Sequence, residues 1–225
     1  MFYKYIIKFD EGEVKTVNIE LDPSTLSVLP GNDSEIPDWA LLDCAKCSIC
    51  PYDKTTHKYC PLALNLAGVT KLFQDKASTE TVDASVITKE REYFKRTTLQ
   101  VALSSILGLY MVTSGCPVMD ILKPMAKHHL PFSTLDEGIY RSMSSYLMQQ
   151  YLRKTRGLDP DWEMKKLAKA YELIGILNLA IVERLSKTYV KDANNNALII
   201  LDVFARMIPM TIDQKRPTKE YILPE

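Results

Sequence analysis

The sequence predicts an α+β protein, in which a small four-stranded antiparallel sheet is followed by a five-helix bundle-like part. Three observations support this prediction. Apolar and polar residues alternate in short segments before residue 99, at the period of half-buried strands. From residue 99 onward, the apolar spacing becomes helical. A stretch that holds four of the chain's five cysteines separates the two predicted pairs of strands.

The four strands are predicted to form two hairpins. The first hairpin pairs residues 2–9 with residues 14–21 across the turn sequence DEGE. Residues 22–38 are rich in Pro, Ser, Gly and Asp, which predicts a connecting loop. The second hairpin is predicted at residues 81–88 and 91–98.

A short helix is predicted between the hairpins, at residues 61–74. Pro61 suits the first helical position, where the missing N–H costs no hydrogen bond. Cys60 is then the predicted N-cap residue, so the cysteine stretch ends at the start of a helix.

The helical part of the chain is predicted to contain five further helices. A capping box is predicted at Ser133 and Asp136, and Gly157 is a predicted C-terminal stop. The five helices are predicted at residues 99–112, 117–128, 134–155, 161–188 and 193–208.

These elements suggest a division of the chain into three parts. Residues 1–98 form the sheet with a cysteine-rich, metal-type loop and a short helix. Residues 99–210 form the helical part packed on the sheet, and residues 211–225 are predicted to be a flexible tail. A length of 225 residues suits one large domain or two small ones that are tightly joined.

Composition and charge exclude some functional classes. The 28 basic residues balance the 28 acidic ones, so no global basic field attracts nucleic acid, and no nucleic-acid partner is expected. The N-terminal sequence lacks the apolar core of a signal peptide, and no run of about 18 apolar residues predicts a membrane span. We expect a cytoplasmic protein without a membrane partner. Another protein is the expected type of partner, and the oligomeric state stays open.

The stretch CAKCSICPYDKTTHKYCPLAL contains two candidate ligand sets, and the first set is of the zinc type. Cys47, Cys50, His57 and Cys60 follow the pattern C-x2-C-x6-H-x2-C. Two close pairs joined by a short loop can wrap a tetrahedral ion, and zinc accepts thiolate and imidazole ligands. In a reducing compartment, clustered cysteines favour metal or redox chemistry over disulfides.

The second set is of the iron–sulfur type. Cys44, Cys47, Cys50 and Cys60 follow the pattern C-x2-C-x2-C-x9-C-P. The first three cysteines have the spacing of a ligand run for a 4Fe-4S cluster. The last gap departs from that pattern, because nine residues stand where a bacterial ferredoxin has three.

The fifth cysteine opens a second unusual stretch, TSGCPVMDILKPMAKHHLPF. Cys116 precedes Pro117, which predicts a second cysteine at a helix start, with its thiol pKa lowered by the helix dipole. Cys116 is therefore also a candidate fourth ligand, in place of Cys44 or His57.

The same stretch offers a catalytic alternative. Cys116 with Asp120 and a histidine could form a nucleophile and its base. A local pair with His128 or His129 is disfavoured, because a straight helix separates residues 116 and 128 by about 18 Å. The simpler interpretation is a buried structural cysteine and two histidines at a helix C-terminus.

Three segments together resemble a known family. CSICP…HKYCPLALNL, LSSILGLYMVTSGCPVMDILKPMAKHHLPF and NALIILDVFA resemble an uncharacterised bacterial family of unknown function, over most of the chain. The resemblance implies a bacterial, cytosolic protein and carries no activity with it.

Three hypotheses follow for the function. The first is a metal-binding protein with a zinc-type Cys/His site that acts as an interaction or regulatory module, since no Walker loop, GxGxxG, HExxH or nucleophile elbow is present. The second is a redox or sensor protein with an iron–sulfur cluster. The third is a cysteine-dependent enzyme that uses Cys116.

Overall fold

The computed structural model describes residues 1–29, 36–186, 188 and 191–213. It confirms the predicted fold class, a four-stranded antiparallel sheet followed by a helical part. The strands are β1 (Phe2–Phe9), β2 (Val14–Glu20), β3 (Thr81–Ile87) and β4 (Glu92–Thr98). The α-helices are α1 (Pro61–Leu72), α2 (Leu99–Val112), α3 (Leu135–Thr155), α4 (Lys165–Ser186) and α5 (Ala193–Asp213).

The sheet has the order β2-β1-β3-β4, so the two hairpins meet through β1 and β3. The register pairs Tyr5 with Val17 on one side and with Val86 on the other. Alternate side chains of these strands are buried, as the period-two pattern predicts. That face packs in a single hydrophobic cluster with residues of the helices, Leu103 and Ile181 among them.

Helix starts follow the local capping chemistry. The capping box lies one residue later than predicted. The Thr134 hydroxyl accepts a hydrogen bond from the Glu137 backbone N–H, and the Glu137 carboxylate accepts one from the Thr134 N–H. Helix α4 begins at Lys165 rather than at residue 161, because the Asp161 carboxylate accepts the first backbone N–H groups. Gly157 has a φ of +74° just after α3, as a C-terminal stop requires.

The predicted helix at 117–128 has a different form. Its first residues form a turn, and a 3-10 helix then spans Asp120–His128. Pro124 lies inside this segment and lacks the N–H that an α-helix would bond to Asp120, so tighter turns replace α-helical ones. Cys116 therefore precedes a turn and not an α-helix.

The predicted flexible tail begins too early. Residues 211–213 belong to α5, and residues 214–225 lie outside the part of the chain that the structure describes.

Among the described helices, α5 has the length and apolar composition that a membrane span needs, with a mean hydropathy of 1.3. This is weak evidence, because a core helix passes the same test. Helix α5 packs against α4 and α2, and it carries an Asp202–Arg206 ion pair of 2.6 Å.

Candidate functional site

Four of the five cysteines border one small cavity. Cys47 and Cys50 come from the cysteine-rich loop, Cys60 from the start of α1, and Cys116 from the turn after α2. The cavity has a volume of about 20 Å³, which is room for a single small occupant. We call it the cysteine cavity.

The cysteine-rich loop is closed by backbone pairing at its two ends. Leu41 and Tyr59 form an isolated antiparallel bridge, and the Cys60 N–H donates to the Ala40 carbonyl at 2.9 Å. Between these ends, the Cys50 N–H donates to the Cys47 carbonyl at 3.0 Å. This tight turn brings both cysteines of the C-x2-C pair to the same side of the loop.

The third cysteine of the cavity, Cys60, lies at the start of α1. Cys60 is the N-cap residue of α1 and Pro61 begins the helix, as the sequence predicts. The Cys60 side chain makes no capping hydrogen bond, so its sulfur is not engaged at the helix end.

The fourth cysteine of the cavity, Cys116, comes from a segment distant in sequence. The Tyr52 hydroxyl donates to the Gly115 carbonyl at 3.3 Å, which ties the cysteine-rich loop to the residue before Cys116. The Met119 N–H donates to the Cys116 carbonyl at 2.9 Å and closes the turn.

Electrostatic interactions between the thiols shift their pKa values. Burial is the main cause that raises the Cys47 pKa, and the neighbouring Cys50 and Cys60 thiolates raise it further. Burial also raises the pKa of Cys116 to about 11, with contributions from Cys60 and Cys47. The helix-dipole prediction of a lowered Cys116 pKa is therefore wrong, because desolvation outweighs the backbone N–H groups near its sulfur.

A buried arginine completes the cavity. Arg184 of α4 is 2% exposed and lines the cavity beside the cysteines. Its guanidinium donates to the carbonyls of Trp39 at 2.7 Å, Leu41 at 2.6 Å and Leu42 at 3.1 Å. Within the described residues, its Nε–H has no hydrogen-bond partner.

The sequence prediction did not include Arg184, although a signal for it exists. The residue falls on the buried stripe of α4, seven positions after Leu177 and three after Ile181. A cation on an apolar stripe indicates a buried electrostatic partner.

Two predicted ligands lie outside the cavity lining. The exposed His57 ring stacks on Tyr52 with 3.9 Å between ring centroids, and its Nδ1 lies 3.0 Å from the Thr56 hydroxyl. Cys44 is partly buried and packs against the hydrophobic core. The structure thus groups Cys116 with three cysteines of the loop, while the roles of Cys44 and His57 stay predictions.

The catalytic alternative gains no geometric support. Asp120 and His128 are exposed, whereas Cys116 is buried. His129 contacts a different, larger cavity, where its Nε2 lies 2.6 Å from the Tyr5 hydroxyl. A buried thiol with a raised pKa is a poor nucleophile at neutral pH.

The thiols are not arranged as a finished metal site. No three His, Cys, Asp or Glu side chains of the described ranges could hold a metal ion as they stand. A cysteine sulfur changes position by rotation about one bond among staggered rotamers, so the backbone leaves its final orientation open. The grouping of four cysteines around one cavity is therefore the relevant observation.

Comparison with known proteins identifies the family. The profile of the domain of unknown function DUF6901 matches residues 1–222. The chain belongs to this family. No curated protein matches the chain, and no solved structure matches it.

Proposed function

We propose that this DUF6901 protein binds a metal ion, of the zinc type, through the thiolates of Cys47, Cys50, Cys60 and Cys116. The observation that carries the proposal is the convergence of these four cysteines from three chain segments on one cavity of about 20 Å³. Four thiolates match the closed tetrahedral coordination of structural zinc. The ion would join the loop between the hairpins to the helical part, in a module for interaction or regulation without catalysis.

The charges support this proposal. Four neighbouring thiolates repel one another, so a cation is needed to keep them ionised together. A divalent ion with four thiolates carries a net charge of −2. The positive charge of Arg184 offsets part of that charge. Arg184 in turn needs a negative partner, because a buried cation without a counter-charge is costly and its Nε–H has no hydrogen-bond partner among the described residues.

An iron–sulfur cluster remains a second candidate because of one observation. Cys50, Cys60 and Cys116 are each followed by proline, as the last cysteine of the bacterial ferredoxin run is. The small volume of the cavity favours a single ion over a four-iron core.

Metal analysis with a visible spectrum tests the proposal on protein purified without oxygen. We expect one equivalent of zinc and no colour in the wild type. Cys116→Ser should lose the metal, while the matched controls Cys44→Ser and His57→Ala should keep it. Iron with a brown colour would replace zinc by the cluster. Absence of any metal, or loss in Cys44→Ser with retention in Cys116→Ser, would contradict the proposed centre.

A further inference from the structure

A second cavity lies within the helical part and is much larger than the first. Its volume is about 260 Å³, and it is bordered by α2, α3, α4, α5 and the 3-10 helix Asp120–His128. We call it the helical cavity. Its walls are mainly apolar, with Leu109, Met125 and Phe204 among them. An engineered apolar cavity of about 150 Å³ is large enough for benzene, so this space suits a small organic molecule.

Most polar groups in the wall already have partners. The hydroxyls of Ser142 and Tyr171 lie 2.7 Å apart. The His129 Nε2 contacts Tyr5 and also the Ser105 hydroxyl at 3.2 Å. These groups contribute shape and a few fixed dipoles, but they need nothing further from a ligand.

Asn178 is the first exception. It is 1% exposed and lines the cavity from α4. Neither its amide nitrogen nor its amide oxygen has a hydrogen-bond partner in the described part of the chain. An unsatisfied buried amide destabilises the folded protein, so its presence in an apolar wall indicates a partner that enters the cavity.

Arg141 is the second exception, because it has hydrogen bonds but no ion pair among the described residues. One guanidinium nitrogen, Nη2, donates to the carbonyls of His128 at 3.1 Å and Met125 at 3.4 Å. No ion pair of Arg141 occurs among the described residues, and the cavity wall contains no carboxylate there. The nearby Glu137 is engaged in the capping box with Thr134. Desolvation lowers the Arg141 pKa and outweighs the opposing Coulombic effect of nearby groups, Glu137 among them.

We propose that the helical cavity binds an amphipathic organic acid. Its carboxylate pairs with Arg141, its apolar body lies between the helices, and a hydroxyl or carbonyl along that body bonds to Asn178. Arginine presents a planar fork that matches a carboxylate, and a few polar anchors in an apolar cleft are the usual composition of a small-molecule site. This inference is independent of the proposed metal centre.

Isothermal titration calorimetry on the full chain tests the carboxylate assignment. The probes are decanoate, 2-naphthoate and their uncharged counterparts 1-decanol and 2-naphthol. We expect at least one acid to bind at least tenfold more tightly than its alcohol. This comparison needs no variant, so a folding defect cannot obscure it. Binding of neither acid, or equal binding of acid and alcohol, would overturn the proposal.

Two variants test the anchors. Arg141→Gln should weaken binding of the acid at least tenfold, whereas Arg153→Gln, an exposed position on the same helix, should leave binding unchanged. For Asn178, 3-hydroxydecanoate and 10-hydroxydecanoate are compared with decanoate, and at least one should bind several-fold more tightly. Asn178→Leu should remove that gain. Equal loss in the two arginine variants, or no gain from either hydroxyl, would overturn the corresponding anchor.

Discussion

The two cavities are both lined by helix α4, and they differ in the role of the buried polar residue that α4 contributes to each. Helix α4 contributes a buried polar group with an unsatisfied atom to each, Arg184 to the cysteine cavity and Asn178 to the helical cavity. Arg184 also bonds three backbone carbonyls, so it is part of the framework of the fold. The side-chain amide of Asn178 has no hydrogen-bond partner among the described residues. A group that serves the fold should cost stability when it is removed, and a group kept for a ligand should not.

The volume and lining of each cavity also indicate different kinds of ligand. The cysteine cavity, about 20 Å³, is bordered by side chains that can bind an ion directly. The helical cavity, about 260 Å³, is bordered mainly by apolar groups. The first suits an ion that joins distant segments, and the second suits a molecule that enters a preformed fold.

The largest effect is expected at the fourth cysteine. Cys116→Ser should lower the free energy of unfolding by about 4 kcal/mol, because loss of a structural metal removes its binding energy from the folded state. Thermal unfolding followed by circular dichroism measures this change. The matched control Cys44→Ser should shift stability by about 1 kcal/mol or less, since Cys44 is only partly buried and lies outside the cavity lining. Equal melting temperatures for wild type and Cys116→Ser would argue against a structural ion.

The second effect tests whether Arg184 stabilises the fold through its hydrogen bonds to backbone carbonyls. Arg184→Met keeps much of the side-chain volume but removes the guanidinium that donates to the carbonyls of Trp39, Leu41 and Leu42. The Leu41 carbonyl still accepts from the Cys44 N–H. We expect a loss of about 3 kcal/mol, since three buried hydrogen bonds from a charged donor are lost and each contributes on the order of 1 kcal/mol or more. Urea unfolding measures it. Arg184→Lys should recover only part of the loss, because an ammonium group does not reproduce the planar fork. Full recovery by lysine would reduce the role of Arg184 to its charge.

The third effect should have the opposite sign. Asn178→Leu keeps the branching at Cγ and removes two unsatisfied polar atoms from an apolar wall. We expect the free energy of unfolding of the ligand-free protein to rise by about 1 kcal/mol. The same urea experiment measures it beside Arg184→Met. A loss of stability in both variants would remove the distinction between the two cavities.

The smallest effect concerns pH. Burial lowers the His129 pKa to about 3, while the unfolded chain keeps a value near 6.5. The unfolded state therefore binds the proton first, and stability falls as the pH drops below about 6.5. Between pH 7 and pH 5.5, this group should cost about 1 kcal/mol. His129→Gln should lose less stability over that interval than the wild type, measured by urea unfolding at both pH values. Identical losses would assign the pH dependence to other groups.

The sequence predicted the sheet well because its signals are local. Alternating residues such as Val82, Ala84 and Val86 are buried in β3, and Pro61 begins α1 after Cys60. Helix boundaries were less accurate where a side chain selects the start, as Asp161 does for α4. The segment Asp120–His128 is a 3-10 helix and not the predicted α-helix, because Pro124 lies inside it and lacks a backbone N–H.

The candidate site was predictable only in part. Spacing identified Cys47, Cys50 and Cys60, since a short loop brings them together. Cys116 reaches the cavity from a segment far away in sequence, which contacts the loop through Tyr52 and Gly115, so the sequence could offer it only as an alternative ligand. Asn178 has no spacing signal, because an unsatisfied amide is defined by neighbours that sequence does not show.

X-ray absorption at the zinc edge of the wild-type protein tests the central claim most directly. Four sulfur ligands at about 2.3 Å would match a centre of Cys47, Cys50, Cys60 and Cys116. Three sulfur atoms and one nitrogen would instead return His57 to the site and contradict the assignment of Cys116. The same spectrum on Cys116→Ser should lose the four-sulfur signal, and its survival there would contradict the account as well.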